Sequence, residues 1–253
     1  MTGPVRGIPW TRLLAEGIII VVSILLAFAI DAWWDAAQDR SREMSYLSEL
    51  ATDLDRTLEN IERFGRIADN RDSANARLVS SYYQADAPSA DSLAGWLNRA
   101  IGYRVVQPRL GTVEALVSTG DLALIRDDSL RAAIPGYLTI MQAFEGFEAD
   151  GERMFVEAVN QLVGSIDPYR IQLELITVAQ RDSMAAEPFS PLPPGRLRTL
   201  PALDLLETVR SPEVHHLLVQ MVRAKELMRI YRGLMKSNAQ RMLELVRSAQ
   251  ANQ

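Results

Sequence analysis

The chain contains no cysteine, and its 253 residues include only two histidines, the neighbours His215 and His216. Without cysteine the protein has no disulfides, thiolate metal sites, iron–sulfur clusters or cysteine nucleophiles. Adjacent histidines on a helix point about 100° apart, so they cannot hold one metal ion together. A mixed site with Asp204 and Glu213 is the alternative. We interpret the histidines as a surface pair at a helix start and expect no metal.

Short catalytic and nucleotide-binding motifs are also missing. The sequence contains no G-x-G-x-x-G, G-x-x-x-x-G-K-[ST], H-E-x-x-H or G-x-S-x-G pattern and no calcium-binding loop. Two carboxylate pairs, Asp53 with Asp55 and Asp127 with Asp128, could support acid–base chemistry, but surface charge and helix capping explain them better. We therefore expect no cofactor, no catalytic residue and no enzyme activity.

Positive charge is scarce over most of the chain. The net charge is −5, with +5 on residues 223–253 and −10 on the remainder. A negatively charged protein lacks the broad positive field that binding to a phosphate backbone requires. We therefore expect no nucleic-acid partner.

Residues 13–34 form the one long apolar stretch. Between Glu16 and Asp31, 14 consecutive residues carry no charge. The 22 residues would form a helix about 33 Å long, close to a hydrocarbon thickness of roughly 30 Å. Trp33 and Trp34 suit the membrane–water interface at one end. We predict a single transmembrane helix over residues 13–34.

Two other interpretations of this stretch are a cleaved signal peptide and a buried core helix. Arg6 and Arg12 would be the basic start of a signal peptide, and residues 27–29 its cleavage site. Against cleavage, an acidic residue interrupts the apolar stretch and helix-forming sequence continues past the site. The same arginines favour a cytoplasmic tail over residues 1–12, with residues 35–253 in the periplasm and the anchor in a bacterial inner membrane.

One side of the predicted membrane helix carries small and polar residues, together with a tryptophan. On a helical wheel this contact face consists of Glu16, Ser23, Ala27, Asp31 and Trp34. Such a face favours contact between membrane helices, whereas two interfacial carboxylates and one serine are the simpler interpretation. The partners that we expect are membrane lipid and other membrane-protein subunits, and a homo-oligomer is compatible with the face.

Past the anchor, apolar residues recur every three or four positions, the spacing of amphipathic helices, and no convincing strand is present. We predict that the membrane helix continues as a stem to Phe64, followed by further helices at about 71–83, 91–101, 112–117, 135–163 and 169–184. The face of the helix at 135–163 would contain Ile140, Phe144, Phe147, Met154, Ala158 and Leu162. Residues 186–201 are a Pro-rich connector.

Ser211 and Pro212 predict the start of a final helix of about 38 residues. Its apolar seam alternates steps of four and three, as in coiled coils. The seam has a basic flank, which we interpret as an interaction stripe: Lys225, Arg229, Arg232 and Lys236. The stem has an acidic flank: Asp55, Glu59 and Glu62. Ordinary solvated charge is the alternative for both flanks.

We therefore predict that the final helix pairs antiparallel with the stem, with Leu58 against Tyr231 and with Arg241 and Arg247 near the lipid headgroups. The fold class is all-α: an N-terminal transmembrane helix continues into an extracytoplasmic antiparallel helical bundle.

Two segments resemble an uncharacterised bacterial family of single-span membrane proteins with a helical domain of unknown function. They are AIDAWWDAAQDRSREMSYLSELATDLD after the membrane helix and LGTVEALVSTGDLALIRDDSLRAAIPGYL at residues 110–138. The second contains the family's L-x-x-x-G-x-L-x-L-I-x-D-x-x-L element at Leu116, Gly120, Leu122, Leu124, Ile125, Asp127 and Leu130. The resemblance covers about the first 140 residues and implies an architecture without implying an activity.

These features favour a non-enzymatic, membrane-anchored interaction or scaffold protein, an accessory subunit that stabilises a larger membrane complex, for example of photosynthetic or respiratory type. The alternative is an extracytoplasmic ligand-binding or sensing module that acts through a partner.

Overall fold

A computed structural model of the chain describes residues 10–166 and 204–252, and within these ranges the protein is helical without strands. The prediction of an all-α fold is confirmed for this part of the chain. The elements are α1 (Trp10–Ser81), α2 (Ala90–Ala100), α3 (Gly111–Thr119), a 3₁₀ turn (Asp121–Leu124), α4 (Asp128–Ser165), α5 (Leu205–Val209) and α6 (Pro212–Ala251). The predicted helix at 169–184 and the Pro-rich connector at 186–201 lie outside the described residues.

Helix α1 is continuous over 72 residues, about 108 Å at 1.5 Å per residue. By length and composition it contains one stretch that could cross a membrane, and the apolar side chains of that stretch are exposed from Ile18 onward. The stem does not end at Phe64 as predicted. Gly65 lies inside α1 with open space where a side chain would be, so its cost to the helix is only that of a glycine in a helix interior, about 1 kcal/mol.

The bundle is formed by the outer part of α1 with α4 and α6, and its core has two clusters. The first contains buried leucines of α1 with side chains of α4 and α6: Leu47, Leu50, Leu54, Ile134, Met141, Met235, Met242 and Val246. The second lies farther from the membrane helix and includes α2: Leu78, Leu93, Leu97, Phe155, Leu162, Val214 and Met221. Helix α4 therefore runs in the same direction as α1.

Ion pairs fix the register of α6 on α1. Lys236 Nζ lies 3.0 Å from Glu62, and an Arg247 nitrogen lies 3.1 Å from Asp55. Rising residue numbers on α1 thus meet falling numbers on α6, and the two helices run in opposite directions. This register places Leu58 opposite the stretch between residues 236 and 247, so its predicted match with Tyr231 is wrong by roughly two to three helical turns.

The same register bears on the predicted approach of Arg247 and Arg241 to the headgroups. Asp55 follows Trp34 by 21 residues, about 31 Å along α1. With Trp34 at the interface, Arg247 lies far beyond the headgroups, and Arg241 lies farther still along α6. That prediction is wrong because α6 ends against the middle of the stem.

Helix starts follow the expected capping chemistry. The Asp127 carboxylate accepts a hydrogen bond from the Leu130 amide, and the Ser211 hydroxyl accepts one from the Val214 amide. Ser89 caps α2, and its hydroxyl accepts a hydrogen bond from the Ser92 amide. Because Asp127 is an effective cap, α4 begins at Asp128 and not at Pro135, and the proline lies inside the helix.

Candidate functional site

The two carboxylate pairs are used for structure. Asp53 Oδ2 accepts hydrogen bonds from the amide (3.3 Å) and hydroxyl (2.7 Å) of Thr112, at the start of α3, where the N-cap residue supplies no side-chain bond. Asp55 pairs with Arg247. Asp127 caps α4, and Asp128 pairs with Arg131 one turn later. Neither pair converges on a site for acid–base chemistry.

The element that carries the family resemblance is also structural. Leu116, Ile125 and Leu130 are fully buried in the first cluster. Gly120 ends α3 with a φ of 82°, the left-handed conformation that favours glycine.

The spacing of that element thus reflects how α3 and the 3₁₀ turn are held on the stem. Just beyond it, the Arg126 amide donates to the buried carboxylate of Glu43 at 2.7 Å.

The histidines lie in the first turn of α6, as predicted. The ring of His215 stacks on Tyr82 with centroids 3.9 Å apart, and its Nε2 lies 3.1 Å from the Tyr83 hydroxyl. Burial lowers the pKa of His215 below its usual value. His216 bonds to Gln220 instead. Within residues 10–166 and 204–252, no group of three or more histidine or acidic side chains could hold a metal ion.

The predicted contact face of the membrane helix lies on α1. Ser23, Ala27, Asp31 and Trp34 are exposed, and the Ser23 hydroxyl donates to the Ile19 carbonyl within the helix. Glu16 lies in the part of α1 whose backbone alone is described. The face stays a prediction.

The structure divides the predicted basic stripe. Lys225 and Arg232 are buried, with 4% and 6% of their surface exposed. Arg229 is exposed and pairs with Glu226 on its own helix, while Lys236 pairs with Glu62 of the stem. Of these four residues, only Arg229 and Lys236 therefore present charge at the surface. The buried face of α6 is wider than the predicted seam and includes Lys225 and Arg232.

Lys225 lies at a junction of three helices. Its ammonium donates to the Ala100 carbonyl at the end of α2 (2.9 Å) and lies 3.7 Å from Asp72 of α1. A cation at a helix C-terminus is favourable. Burial nevertheless lowers the pKa of Lys225 to about 8, with Asp72 opposing the shift, and burial raises the pKa of Asp72.

A cleft of about 530 Å³ opens above this junction, between α1 and α6. We call it the α1/α6 cleft. The residues that define it are Asp69, Asp72, Asn75, Val222, Lys225 and Glu226. Asn75 is completely buried at the cleft, and both atoms of its side-chain amide are without a hydrogen-bond partner. Buried amides are normally paired with protein groups or ordered water, so Asn75 differs from the usual pattern.

Glu148 was not predicted as a special residue. It is fully buried between the two clusters, with Oε1 accepting from the Val106 amide at 3.2 Å and Oε2 unpaired. Burial raises the pKa of Glu148 to about 7, opposed by the Val106 hydrogen bond and by Arg232. A signal existed in the sequence, because a heptad stripe contains this one polar residue: Ile134, Met141, Glu148, Phe155 and Leu162.

That buried stripe corrects the predicted face of α4. Ala158 and Leu162 are buried as expected, but Ile140, Phe147 and Met154 are 41%, 45% and 50% exposed. The two stripes lie one residue apart in sequence, and the predicted face mixed them.

On α6, Ile230 and Leu234 are also exposed, and between them Tyr231 stacks on Phe147 with ring centroids 4.8 Å apart. We call this exposed apolar surface the α4/α6 stripe: Ile140, Phe147, Met154, Ile230 and Leu234.

No protein-family model matches the chain, and neither the curated proteins nor the solved structures gave a significant match.

Proposed function

We propose that the protein is a non-enzymatic, membrane-anchored interaction protein, an accessory subunit that binds a helix of another membrane-protein subunit along the α4/α6 stripe. The observation that carries the proposal is the exposure of large apolar side chains at seven-residue spacing on a helix whose buried face contains a glutamate. Folding alone would favour the opposite arrangement, with the apolar stripe inside.

The spacing also defines the shape of the partner. Ile140, Phe147 and Met154 repeat every seven residues, as do the contact positions of a helix that packs along another helix. The groove that they form with Ile230 and Leu234 of α6 would take an apolar helix between α4 and α6. Burying each large apolar side chain completely contributes about 1.5 to 3 kcal/mol, and the part still exposed here contributes a corresponding fraction.

The membrane placement belongs to the same proposal. Residues 13–34 span a bacterial inner membrane, residues 1–12 are cytoplasmic, and the remainder is an antiparallel helical bundle in the periplasm. The support is the exposed apolar stretch of α1 and the position of Arg6 and Arg12 before it. A reporter fused after Gln253 should be active only when it functions outside the cytoplasm. Cytoplasmic activity of the reporter would contradict the orientation.

The stripe is tested by purifying tagged full-length protein from its own membranes and identifying the subunits that accompany it. Phe147→Asp should remove those subunits; it also loses the stacking on Tyr231, so its melting temperature should fall while the helical circular dichroism spectrum is retained. Gln142→Asp places the same charge on an exposed position of α4 away from the stripe and should retain them. Equal recovery of the subunits with both variants would contradict the proposal.

A homo-oligomer is another outcome of this experiment. If the wild type cross-links to itself and Phe147→Asp does not, the partner on the stripe is a second copy of the chain and not a different subunit.

The alternative function, a ligand-binding or sensing module that acts through a partner, is supported by one observation, the buried and unpaired Asn75 amide at the α1/α6 cleft.

A further inference from the structure

The α1/α6 cleft combines features that a purely structural groove does not need. Its volume of about 530 Å³ lies within the range of small-molecule sites. A buried amide without a partner destabilises a fold, which would avoid this cost with an apolar residue at position 75. A bound molecule that pairs with the Asn75 amide would remove this cost.

Opposite charges occupy different levels of the cleft. At its inner end, Lys225 and Asp72 continue into a cluster with a surplus of cations, since Arg71, Arg104 and Arg232 surround the same small space. The Lys225 ammonium donates to the Ala100 carbonyl, lies 3.7 Å from Asp72 and lies 5.0 Å from the centre of the Phe155 ring, and it stays a buried positive charge at the lining of the cleft. The inner end is therefore suited to a carboxylate.

The outer level of the cleft is acidic. Asp69 of α1 and Glu226 of α6 line it together, and Arg229 is the one cation at this level, already paired with Glu226. The Asn75 amide, one helical turn beyond Asp72 on α1 and fully buried in the cleft lining, offers a donor and an acceptor, so it could bond to a carboxylate and an ammonium group at once. Ala76 and Val222 supply apolar wall.

We propose that the α1/α6 cleft binds a small zwitterion, an amino acid with an apolar side chain. The carboxylate pairs with Lys225 and the amide nitrogen of Asn75, the ammonium group pairs with Asp69 and Glu226, and the side chain lies against Val222. The proposal rests on the alternative function, ligand binding. A cation alone would be repelled by Lys225, and an anion alone would be repelled by Asp69 and Glu226.

The test uses isothermal titration calorimetry on the detergent-solubilised full chain with three probes. L-Leucine carries both charges, 4-methylpentanoate lacks the ammonium group, and 3-methylbutylamine lacks the carboxylate. Leucine should bind saturably, and each half-molecule should bind at least about tenfold more weakly, because it loses one of the two charged contacts. No saturable binding of leucine up to millimolar concentration would overturn the proposal. Equal binding of either half-molecule would overturn it too.

Two variants locate the site. Asn75→Leu should abolish leucine binding while the melting temperature stays the same or rises, since the unpaired amide is removed. Glu226→Gln, at an exposed position, should weaken leucine binding while 4-methylpentanoate binding is unchanged, and it serves as the test if Asn75→Leu fails to fold. Glu157→Gln, exposed on α4, is the matched control and should bind like the wild type. Leucine binding unaffected by both site variants would overturn the assignment.

The α4/α6 stripe contains none of these residues. Recovery of partner subunits with Asn75→Leu therefore reports on the proposed scaffold function separately, and either proposal can fail while the other stands.

Discussion

Replacing Glu148 by glutamine should stabilise the protein at neutral and alkaline pH. The Glu148 carboxylate is fully buried, one of its oxygens has no hydrogen-bond partner, and burial raises its pKa from 4.5 to about 7. Glutamine keeps an oxygen that can accept from the Val106 amide and has no charge to desolvate. The variant therefore removes the cost of a buried charge while the shape of the side chain is retained.

Proton binding to Glu148 determines whether the free energy of unfolding rises or falls with pH. Between about pH 4.5 and 7 the folded protein holds a proton on Glu148 that the unfolded chain has released, so the free energy of unfolding falls as the pH rises. The two pKa values differ by roughly 2.5, and each unit corresponds to about 1.4 kcal/mol, which gives a loss of about 3 kcal/mol once the pH exceeds 8. Below pH 4, Glu148 is protonated in both states and does not make the free energy of unfolding depend on pH.

The measurement is chemical denaturation of wild type and Glu148→Gln, followed by circular dichroism from pH 4 to 9. The difference between the two free energies of unfolding should be constant below about pH 4 and should rise by about 3 kcal/mol in favour of the variant above pH 8. Glu157→Gln, on the exposed side of α4, controls for the loss of one carboxylate. A variant that is less stable at pH 8 would refute the reasoning, because it would show that Glu148 and Arg232 form a stabilising ion pair.

Three further substitutions test the packing. Leu54→Ala removes a fully buried side chain of the first cluster and should lower the free energy of unfolding by about 2 to 5 kcal/mol, whereas Glu59→Ala on the stem surface should change it by less than about 0.5 kcal/mol. Asp53→Ala removes the side chain that binds the Thr112 amide and should cost about 1 kcal/mol, with faster amide exchange at the start of α3. Gly120→Ala, at a φ of 82°, should cost about 1 kcal/mol, measured as a lower melting temperature, although space for the methyl group is open.

Local chemistry explains why most helix starts and ends could be predicted from the sequence. Asp127, Ser211 with Pro212, and Gly120 act through bonds to neighbouring residues, and those bonds do not depend on what the helix packs against. The length of α1 was underestimated because Gly65 resembles a helix breaker only when tertiary contacts are ignored. The outer part of α1 packs against α6, α2 and α3, and this packing outweighs about 1 kcal/mol at one glycine.

The sequence does not show which face of α4 is buried. Helix α4 has two heptad stripes one residue apart, and a shift of one residue rotates the face by about 100°. The more apolar stripe, with Ile140 and Phe147, is exposed, whereas the stripe with Glu148 is buried. Periodicity predicts that a face exists, but the choice between two faces depends on the partner helices. The same limit applies to the register of α6, and to Lys225, whose partners Asp72 and Ala100 are distant in sequence.

The direction of the helices connects the α4/α6 stripe to the membrane. Helix α6 packs along α1 and α4 packs along α6, so the groove between α4 and α6 extends in the direction of the stem and the proposed membrane helix. A partner helix in the groove would run parallel to α1, and in the proposed arrangement it could continue into the membrane beside the same span. Its anchoring in the same bilayer would raise its effective concentration near the stripe, so weak apolar contacts would suffice for a lasting association. In the complex that we propose, the partner helix would cover the stripe, which would account for an exposed apolar surface of this size.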